Sequence, residues 1–411
     1  MKSAIFALFS LTFFSFTSCE NKDSVVNQEP IKLTSEQKLI VSSSNTFGLN
    51  IFKTIAANTP EGENIFVSPL SISMALSMLY NGAATQTLNE LKEGLGYSGL
   101  TDDQINTANR DLIKALIAAD PKVAMEIANS IWYKNTFQVE QNFLTTNKDY
   151  LNSDVRSASF DAATKDLINS WVSDKTHAKI PTIVDEIPAE AIMYLINAIY
   201  FKGTWKYKFD QSKTQKQNFY MGNGTTKQVD FMVQEGSFEY ADNDLFTAVN
   251  MPYGDGRFSM MALVPKSDKT INDVLAAMSQ QNWDKWNNSL VKKPKVKIYL
   301  PKFKLSYKKE LNEDLQALGM STMFTDMADL TRINKNGNLQ VSKVMHKTFV
   351  DVNEEGTEAA AVTSVEIVLT SAGPDDLLIF SANKPFIYVI KEKDSNTLLF
   401  MGIMNEPVIE N

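Results

Sequence analysis

Residues 351–375, DVNEEGTEAAAVTSVEIVLTSAGPD, form an unusual connection between strands. Strand-like patterns flank it at 339–352, 377–380 and 386–391. The middle of this segment is about 18 residues long, whereas loops in compact domains usually have only a few residues. From position 357 to position 372 it contains no Pro, Gly, Lys or Arg. A loop of this length and composition is more typical of a functional segment than of a simple turn.

Alternation of side chains gives this segment two faces. One face carries Thr357, Ala359, Ala361, Thr363, Val365, Ile367 and Leu369. The other face carries Glu358, Ala360, Val362, Ser364, Glu366 and Val368. A period of two predicts a half-buried strand, with small residues first and larger residues later. On composition alone, a plain sheet strand and an Ala-rich helix that starts at Glu355 remain alternatives.

Helix and strand patterns alternate along the rest of the chain and indicate a mixed fold. Ser68 as N-cap and Pro69 at the first helical position predict a buried helix over 70–80. Further helices are predicted at 35–57, 102–119, 164–177, 271–288 and 308–319. Strands are predicted at 124–133 and 192–201, in hairpins over 217–264, and from 339 onward. Helices mixed with mostly antiparallel strands predict one large α+β domain over 35–411.

A short apolar run marks the N-terminus. The run from Ala4 to Phe16 is about 13 residues long, too short for a membrane-spanning helix, so residues 1–18 are interpreted as a signal peptide. Cys19 follows two small polar residues, which resembles the cleavage box of bacterial lipoproteins, although Phe16 departs from the usual aliphatic residue. The polar residues 19–34 are then a lipid-anchored tether. An ordinary secretory signal with an incidental cysteine is the alternative.

This N-terminus predicts where the protein works. We expect an exported protein that is attached to a membrane through a lipid on Cys19. In a bacterium it would be a membrane lipoprotein on the periplasmic or cell-surface face. If the cysteine is not lipidated, the protein would be secreted.

Composition and motif content exclude several classes of function. The formal net charge is −8, so nucleic acid is not expected as a partner. The two histidines are interpreted as an exposed loop residue, His177, and a core residue, His346, neither of which serves a nucleophile. Because Cys19 is the single cysteine, no disulfide, metal site or cofactor is expected. The chain is therefore predicted not to be an enzyme.

Motifs spread along the chain resemble those of the serpin family. The most specific match is to the hinge of inhibitory serpins, at Glu354, Glu355, Gly356, Thr357, Glu358, Ala359, Ala360, Ala361, Val362 and Thr363. Other matches are NIFVSPLSI at 64–72, NAIYFKGTW at 197–205, LPKF at 300–303, KPF at 384–386 and FMG at 400–402. The resemblance runs from about residue 45 to residue 407.

The resemblance implies a serpin fold, with a large, mostly antiparallel central sheet, further sheets, surrounding helices and an exposed reactive-centre loop. It also implies a suicide-substrate inhibitor of serine proteases. In that mechanism the cut loop inserts into the central sheet as a new strand and traps the acyl-enzyme. The sheet-opening region of the family corresponds here to Ser68, Ser71, Asn197, His346, Lys302 and Trp205. Within it, Glu354 is expected to pair with Lys302.

The resemblance leaves the reactive bond open within one residue. The commonest spacing from Gly356 places Thr370 before the cut and Ser371 after it, whereas a shorter loop places Leu369 before the cut. Leu369 suits the apolar pocket of elastase-, chymotrypsin- or subtilisin-like proteases, which would be partners in a covalent complex. The helix over 102–119 has only Arg110 and Lys114 as basic residues, so heparin is not expected. A monomer is expected, and a non-inhibitory serpin acting as carrier or chaperone is the alternative.

Overall fold

A computed structural model of the protein describes residues 30–357 and 377–409. From Ile31 onward, the described residues belong to one compact unit. The predictions for the signal peptide, for Cys19, for most of the tether and for hinge residues 358–363 lie outside the described residues. The same holds for the reactive bond at Leu369, Thr370 and Ser371.

Each range predicted to be helical contains a helix, and two further helices, at 85–94 and 141–151, were not predicted. The helices of the described part are α1 (Ser35–Ala57), α2 (Pro69–Gly82), α3 (Thr85–Gly94), α4 (Asp102–Ile117), α5 (Gln141–Leu151), α6 (Ala162–Lys175), α7 (Ile271–Ala277), α8 (Gln280–Asn288) and α9 (Asn312–Ala317). Helix α2 begins as the sequence indicates, because the Ser68 hydroxyl accepts from the Ser71 N–H at 3.2 Å and Pro69 occupies the first turn.

The strands before position 300 are β1 (Ile65–Val67), β2 (Val123–Lys134), β3 (Ser153–Ala158), β4 (Met193–Thr204), β5 (Gln215–Tyr220), β6 (Thr226–Asp242), β7 (Phe246–Pro252), β8 (Phe258–Pro265) and β9 (Val291–Pro301). The later strands are β10 (Phe303–Glu310), β11 (Met345–Asn353), β12 (Gly356–Thr357), β13 (Leu378–Ser381), β14 (Phe386–Glu392) and β15 (Leu398–Met404).

Two sheets organise these strands. The central sheet has six strands in the order β10-β11-β12-β4-β2-β3, and only β3 runs parallel to its neighbour. The other sheet has nine strands, in the order β1-β15-β14-β8-β7-β6-β9-β13 with β5 beside β6. The predicted α+β architecture with a mostly antiparallel central sheet is thus confirmed. The further sheets of the prediction form one continuous sheet in the described residues.

Strand β4 is covered on both faces, which explains its nearly continuous apolar sequence. Ile199 and Phe201 belong to the main core, which also contains the buried side of α2. Ile196 and Ala198 point the other way, into a smaller cluster that includes Trp171 of α6. Because successive side chains of a strand alternate between faces, such a strand needs apolar residues at every position.

Three predicted elements differ from the structure. The helix predicted over 308–319 begins only at Asn312, because residues 308–310 complete β10 against β11. The helix predicted over 271–288 is interrupted between α7 and α8, where Ser279 caps the second helix. The strand predicted from 339 begins at Met345, and residues 339–344 form no strand. Of the helices that the structure describes, none is both long and apolar enough to cross a membrane.

Candidate functional site: the hinge and the parted central sheet

The hinge strand β12 lies between β11 and β4. Thr357 is paired with Val352 of β11 on one side and with Gly203 of β4 on the other. Beyond β12, the described residues show no pairing between β11 and β4. We call this gap the parting, and the edge closed by β12 its hinge end. The central sheet is therefore joined at the hinge end and parted below it.

Glycine is required at position 356 by both backbone angle and space. Gly356 has a φ of +153°, a region that side-chain-bearing residues rarely adopt. A Cβ there would lie 2.1 Å from the carbonyl oxygen of Gly203. Gly203 itself lies against an aromatic ring, since a Cβ at this position would be 2.9 Å from Tyr253. Two glycines therefore let β12 and β4 approach each other and the aromatic residues behind them.

A hydroxyl pair holds the first hinge residue inside the sheet. Thr357 is 3% exposed, and its Oγ1 lies 2.6 Å from the Tyr253 hydroxyl. The Tyr253 ring stacks on Trp205 with centroids 4.3 Å apart and meets the edge of Phe201 at 5.3 Å. Burial raises the pKa of Tyr253, so this phenol stays protonated and available for hydrogen bonding.

A buried carboxylate anchors the first residue of the hinge. Glu354 is 4% exposed and accepts from Lys302 Nζ at 2.9 Å and from the Thr214 hydroxyl at 2.7 Å. Burial favours a raised pKa for Glu354, but the hydrogen bonds from Lys302 and Thr214 outweigh it and hold the pKa below its usual value. Glu354 is therefore ionised at neutral pH, and its charge is compensated inside the protein.

Further contacts fix the turn that leads into β12. Glu355 accepts from Lys208 Nζ at 2.5 Å. The indole Nε1 of Trp205 donates to the Asn353 carbonyl at 2.9 Å, and the Trp205 backbone N–H donates to the Glu355 carbonyl at 2.9 Å. The hinge turn is thus bound to the segment after β4 by both side-chain and backbone groups.

His346 of β11 is joined to the start of α2. The Ser68 backbone N–H donates to His346 Nε2 at 3.0 Å, and the Ser68 hydroxyl donates to the Leu399 carbonyl at 2.7 Å. An imidazole nitrogen that accepts a hydrogen bond carries no proton, so His346 is neutral here. Burial lowers the pKa of His346 to about 3, which agrees with this hydrogen bond.

Asn197 lies on the opposite side of the parting. Its Nδ2 donates to Asn129 Oδ1 at 2.7 Å, which joins β4 to β2. The Asn197 Oδ1 is buried and finds no hydrogen-bond donor among the residues that the structure describes. Asn197 and His346 both line the same cavity. The parting thus separates two polar side chains, one of which has an unused acceptor.

A cavity of about 720 Å³ occupies the far part of the parting. Its walls come from α2, from the first half of β4, from residues 183–191 and from residues 338–344. The connection from α6 to β4 runs along this cavity and is attached to β10 and β11. Asp185 pairs with Lys308, and Lys347 Nζ donates to the Thr182 carbonyl at 2.8 Å. The parting is therefore bordered by a segment that is attached to its β11 side.

The residues of the predicted sheet-opening region fall into two groups. Lys302 and Trp205 lie at the hinge end, and Ser68, Ser71, His346 and Asn197 lie around the parting beside α2. Sequence reasoning missed Tyr253, Thr214 and Lys208, which bind the hinge. The sequence places Tyr253 only within the predicted hairpins over 217–264. A single polar residue carries no signal for a contact about a hundred positions away. Among the described residues, no cluster of three or more His, Cys, Asp or Glu could hold a metal ion.

Fold and site together define an α+β protein with a parted central sheet and a hinge strand at the edge of the gap. The chain belongs to the serpin family, because the family model described as "Serpin (serine protease inhibitor)" matches residues 42–407. This family includes protease inhibitors and non-inhibitory carriers, and its members generally inhibit proteases.

Similar proteins come from both groups. Neuroserpin of Rattus norvegicus is 32% identical over 377 residues, which cover 89% of this chain and 91% of neuroserpin. Corticosteroid-binding globulin of Pongo abelii is 31% identical over 388 residues, which cover 93% of this chain and 94% of the globulin. Among solved structures, the thermophilic serpin tengpin in its native state matches with a TM-score of 0.82 and 31% identity, covering 92% of this chain and 96% of tengpin.

Proposed function

We propose that this serpin is a suicide-substrate inhibitor of serine proteases. A protease would cut the loop and form an acyl-enzyme, and the freed loop would enter the parting as a new strand. The observation that carries this proposal is the position of Thr357, which is paired with both β11 and β4 at the hinge end. In the described part of the chain, the facing edges of β11 and β4 beyond Thr357 are not paired with each other. Only the residues that follow Thr357 could therefore extend β12 between them.

The register of β12 supports this assignment. Both pairings are antiparallel, so six residues beyond Thr357 correspond to six residues before Gly203 and six before Val352. Thr363 would then lie between Asn197 and His346. Its hydroxyl could donate to the unused Asn197 Oδ1, which is the kind of partner a buried acceptor requires.

The same register supports a use for the cavity. Val365 and Ile367 would come opposite Leu195 and Met193, which both line it. Each buried aliphatic side chain contributes about 1.5–3 kcal/mol, and each new backbone hydrogen bond contributes about 1 kcal/mol. Val362 would face outward, although it is bulkier than the Ala usual at its place. Insertion is therefore favoured both by the strand pairing and by apolar burial.

The proposed target is a protease with an apolar specificity pocket, of the elastase, chymotrypsin or subtilisin type. Leu369 would precede the cut in one register, and Thr370 would precede it, with Ser371 after it, in the other. Trypsin-like enzymes are not proposed because residues 357–373 contain no Lys or Arg. We propose a covalent complex with the target, a monomeric free inhibitor, and no cofactor or heparin requirement.

We propose further that the protein is exported and anchored by a lipid on Cys19, after removal of residues 1–18. The polar residues 19–34 would give the inhibitor reach from the membrane. Metabolic labelling with a fatty-acid analogue, compared between the wild type and Cys19→Ala, tests this. Label on the wild type alone is expected, and equal labelling or none would reject the anchor.

The test of inhibition is a denaturing gel after mixing the mature protein with elastase- and subtilisin-like proteases. A covalent band near the summed masses is expected. Thr357→Arg should abolish it, because a large charged side chain cannot enter the core at the hinge end. Glu358→Arg is the matched control, since Glu358 would face outward, and it should retain the band. Loop cleavage without any complex, across the whole panel, would overturn the proposal.

A carrier is the second candidate, and the 31% identity to corticosteroid-binding globulin favours it. A carrier would be cut in the loop without trapping the protease. The small residues Ala359, Ala360 and Ala361 favour the inhibitor instead, because small side chains meet little resistance on entering a sheet. The gel experiment separates the two candidates directly.

A further inference from the structure

The cavity in the parting has the size and lining of a ligand site. Its volume of about 720 Å³ lies within the range of roughly 300–1,000 Å³ that small-molecule sites occupy. Apolar side chains dominate its wall, and they include Leu76 and Leu79 of α2, Phe137, Leu339 and Val341. An apolar molecule of moderate length could be removed from water there without any change to the core beneath.

The charges around this cavity are mostly negative. Four carboxylates line it, and two of these are compensated, because Asp185 pairs with Lys308 and Glu310 lies 3.8 Å from Lys343 Nζ. The other two, Glu186 and Glu190, have no cation within 4 Å among the residues that the structure describes. Both glutamates line the cavity and are exposed to solvent, and we call this pair the acidic mouth.

Tyr194 of β4 lies close to the two glutamates of the acidic mouth. Its hydroxyl donates to the Glu186 carbonyl at 3.5 Å. Burial raises the pKa of Tyr194, and the negative potential of Glu186 and Glu190 raises it further. Asn197 lies three residues along β4, roughly 10 Å away at the rise of a strand. Because their positions differ by an odd number, Tyr194 and Asn197 point to opposite faces of β4, with Tyr194 on the face of the smaller cluster. The cavity, which both residues line, therefore reaches both faces through the parting.

We infer that this cavity binds a lipophilic cation, an alkyl ammonium compound whose tail lies against α2 and whose head lies between Glu186 and Glu190. An anionic amphiphile would be repelled at the same place, and a neutral one would gain the apolar contacts only. This binding activity goes beyond protease inhibition and does not depend on it. If the proposed inhibition also holds, ligand and inserted loop would compete, because Val365 and Ile367 would occupy the same space.

Isothermal titration calorimetry with decylamine and decanoate, both below their micellar concentrations, tests the inference. The two compounds have tails of equal length and opposite charge. Decylamine is expected to bind one-to-one, about tenfold more tightly than decanoate, since two partly exposed ion pairs together give about that factor. The double variant Glu186→Gln/Glu190→Gln should reduce this preference below about twofold. The control Glu61→Gln/Glu63→Gln, at an exposed acidic pair elsewhere, should leave it unchanged.

A second variant tests the place of the tail. Ala75→Phe would fill the cavity from α2 and should abolish decylamine binding, with circular dichroism used to verify that the variant is folded. Equal affinity for both compounds, no binding at all, or full binding to folded Ala75→Phe would overturn the inference. Binding without trapping of any protease would leave the inference standing and reject the proposed inhibition. Trapping of a protease without binding of decylamine would reject the inference and leave the proposed inhibition standing.

Discussion

Glu354 and Lys302 form an ion pair of 2.9 Å at the hinge end, and the carboxylate side chain of this pair is 5% exposed. The pair joins the residue that precedes the hinge turn to the segment between β9 and β10. Because Glu354 also accepts from Thr214, the start of the loop is held by two neighbouring segments of the molecule. Glu354 is therefore held in a fixed position, and the pairing of β12 begins two residues after it.

Removal of Lys302 should weaken the fold more than removal of an exposed lysine. Lys302→Met leaves a nearly buried carboxylate with one hydrogen-bond partner fewer, so we expect the unfolding free energy to fall by about 2 kcal/mol. Since the pKa of Glu354 is held below its usual 4.5, this loss should be complete above that pH and fade as Glu354 protonates in acid. Urea unfolding at pH 7 and at pH 3.5 measures both effects.

The matched control is Lys216→Met, because Lys216 pairs with Asp230 at 3.1 Å while both side chains are exposed. We expect this variant to lose less than about 0.5 kcal/mol at either pH. Equal losses for the two variants would contradict the structural importance of the Glu354 pair.

His346 should make the fold sensitive to mild acid. Its pKa is lowered to about 3 in the folded protein, whereas an unfolded histidine titrates near 6.5. Between these values the unfolded chain binds the extra proton, so stability should rise with pH by about 1.4 kcal/mol per unit. The stabilisation is present above about pH 6.5 and is lost as the pH falls below it. Unfolding free energies at pH 7, 6 and 5 give the slope.

His346→Gln provides the comparison, because an amide oxygen can accept from the Ser68 N–H but does not titrate. We expect this variant to lose most of the pH dependence between 7 and 5. A wild-type slope in His346→Gln would show that other groups cause the acid sensitivity.

Gly356→Ala should release the hinge strand. The new Cβ would approach the Gly203 carbonyl oxygen to 2.1 Å, so β12 could no longer pair with β4 in its present register. We expect a loss of about 1–3 kcal/mol and faster hydrogen exchange at the hinge amides. Gly222→Ala is the control, since its Cβ would lie 3.9 Å from Pro385, and it should change neither quantity. Unchanged hinge exchange in Gly356→Ala would contradict the pairing.

The hydroxyl pair at the hinge end should contribute about 1 kcal/mol. Thr357→Val removes one hydroxyl while keeping the shape of the side chain, and Tyr253→Phe removes the other. Both single variants should lose stability, and the double variant should lose less than the sum of the two. A double-mutant cycle from urea unfolding measures this coupling. Strict additivity would mean that the two hydroxyls, 2.6 Å apart, do not interact.

Leu369→Arg should redirect the proposed inhibitor toward trypsin-like proteases. A basic side chain before the cut fits their acidic specificity pocket, so a covalent band with trypsin is expected where the wild type gives none. Leu377→Arg, at an exposed position beyond the loop, is the control and should leave trypsin uninhibited. Mass spectrometry of the released peptide gives the cut bond, and a first residue other than Thr370 or Ser371 would reject both registers.

Local sequence signals predicted most of the fold. The Ser68-Pro69 pair and the apolar run of β4 each act over a few residues, and the elements lie where these signals indicate. The error at 308–310 has a tertiary cause. These residues alternate within a lysine-rich stretch that suits a helix or a strand, and only pairing with β11 decides between them.

Fewer residues of the candidate site than of the fold could be predicted from the sequence. Resemblance to serpins indicated Ser68, His346, Lys302 and Trp205, but it gave no reason to select Tyr253 or Thr214. The contacts of these two residues with the hinge span more than a hundred positions of sequence. The cavity is likewise absent from any sequence pattern, because it is a property of the parting between β4 and β11.

The pairing of Thr357 with both neighbours has a kinetic consequence. In a sheet, a slip of one residue would turn every side chain of a new strand to the wrong face. In the proposed insertion the alignment would be set before any bond is cut, so strand growth would need no search for its starting point. The first pairing, the costly step in assembling an ordered segment, is already made. The rate of growth from a preformed nucleus depends on the residues that follow and not on forming the first pairing.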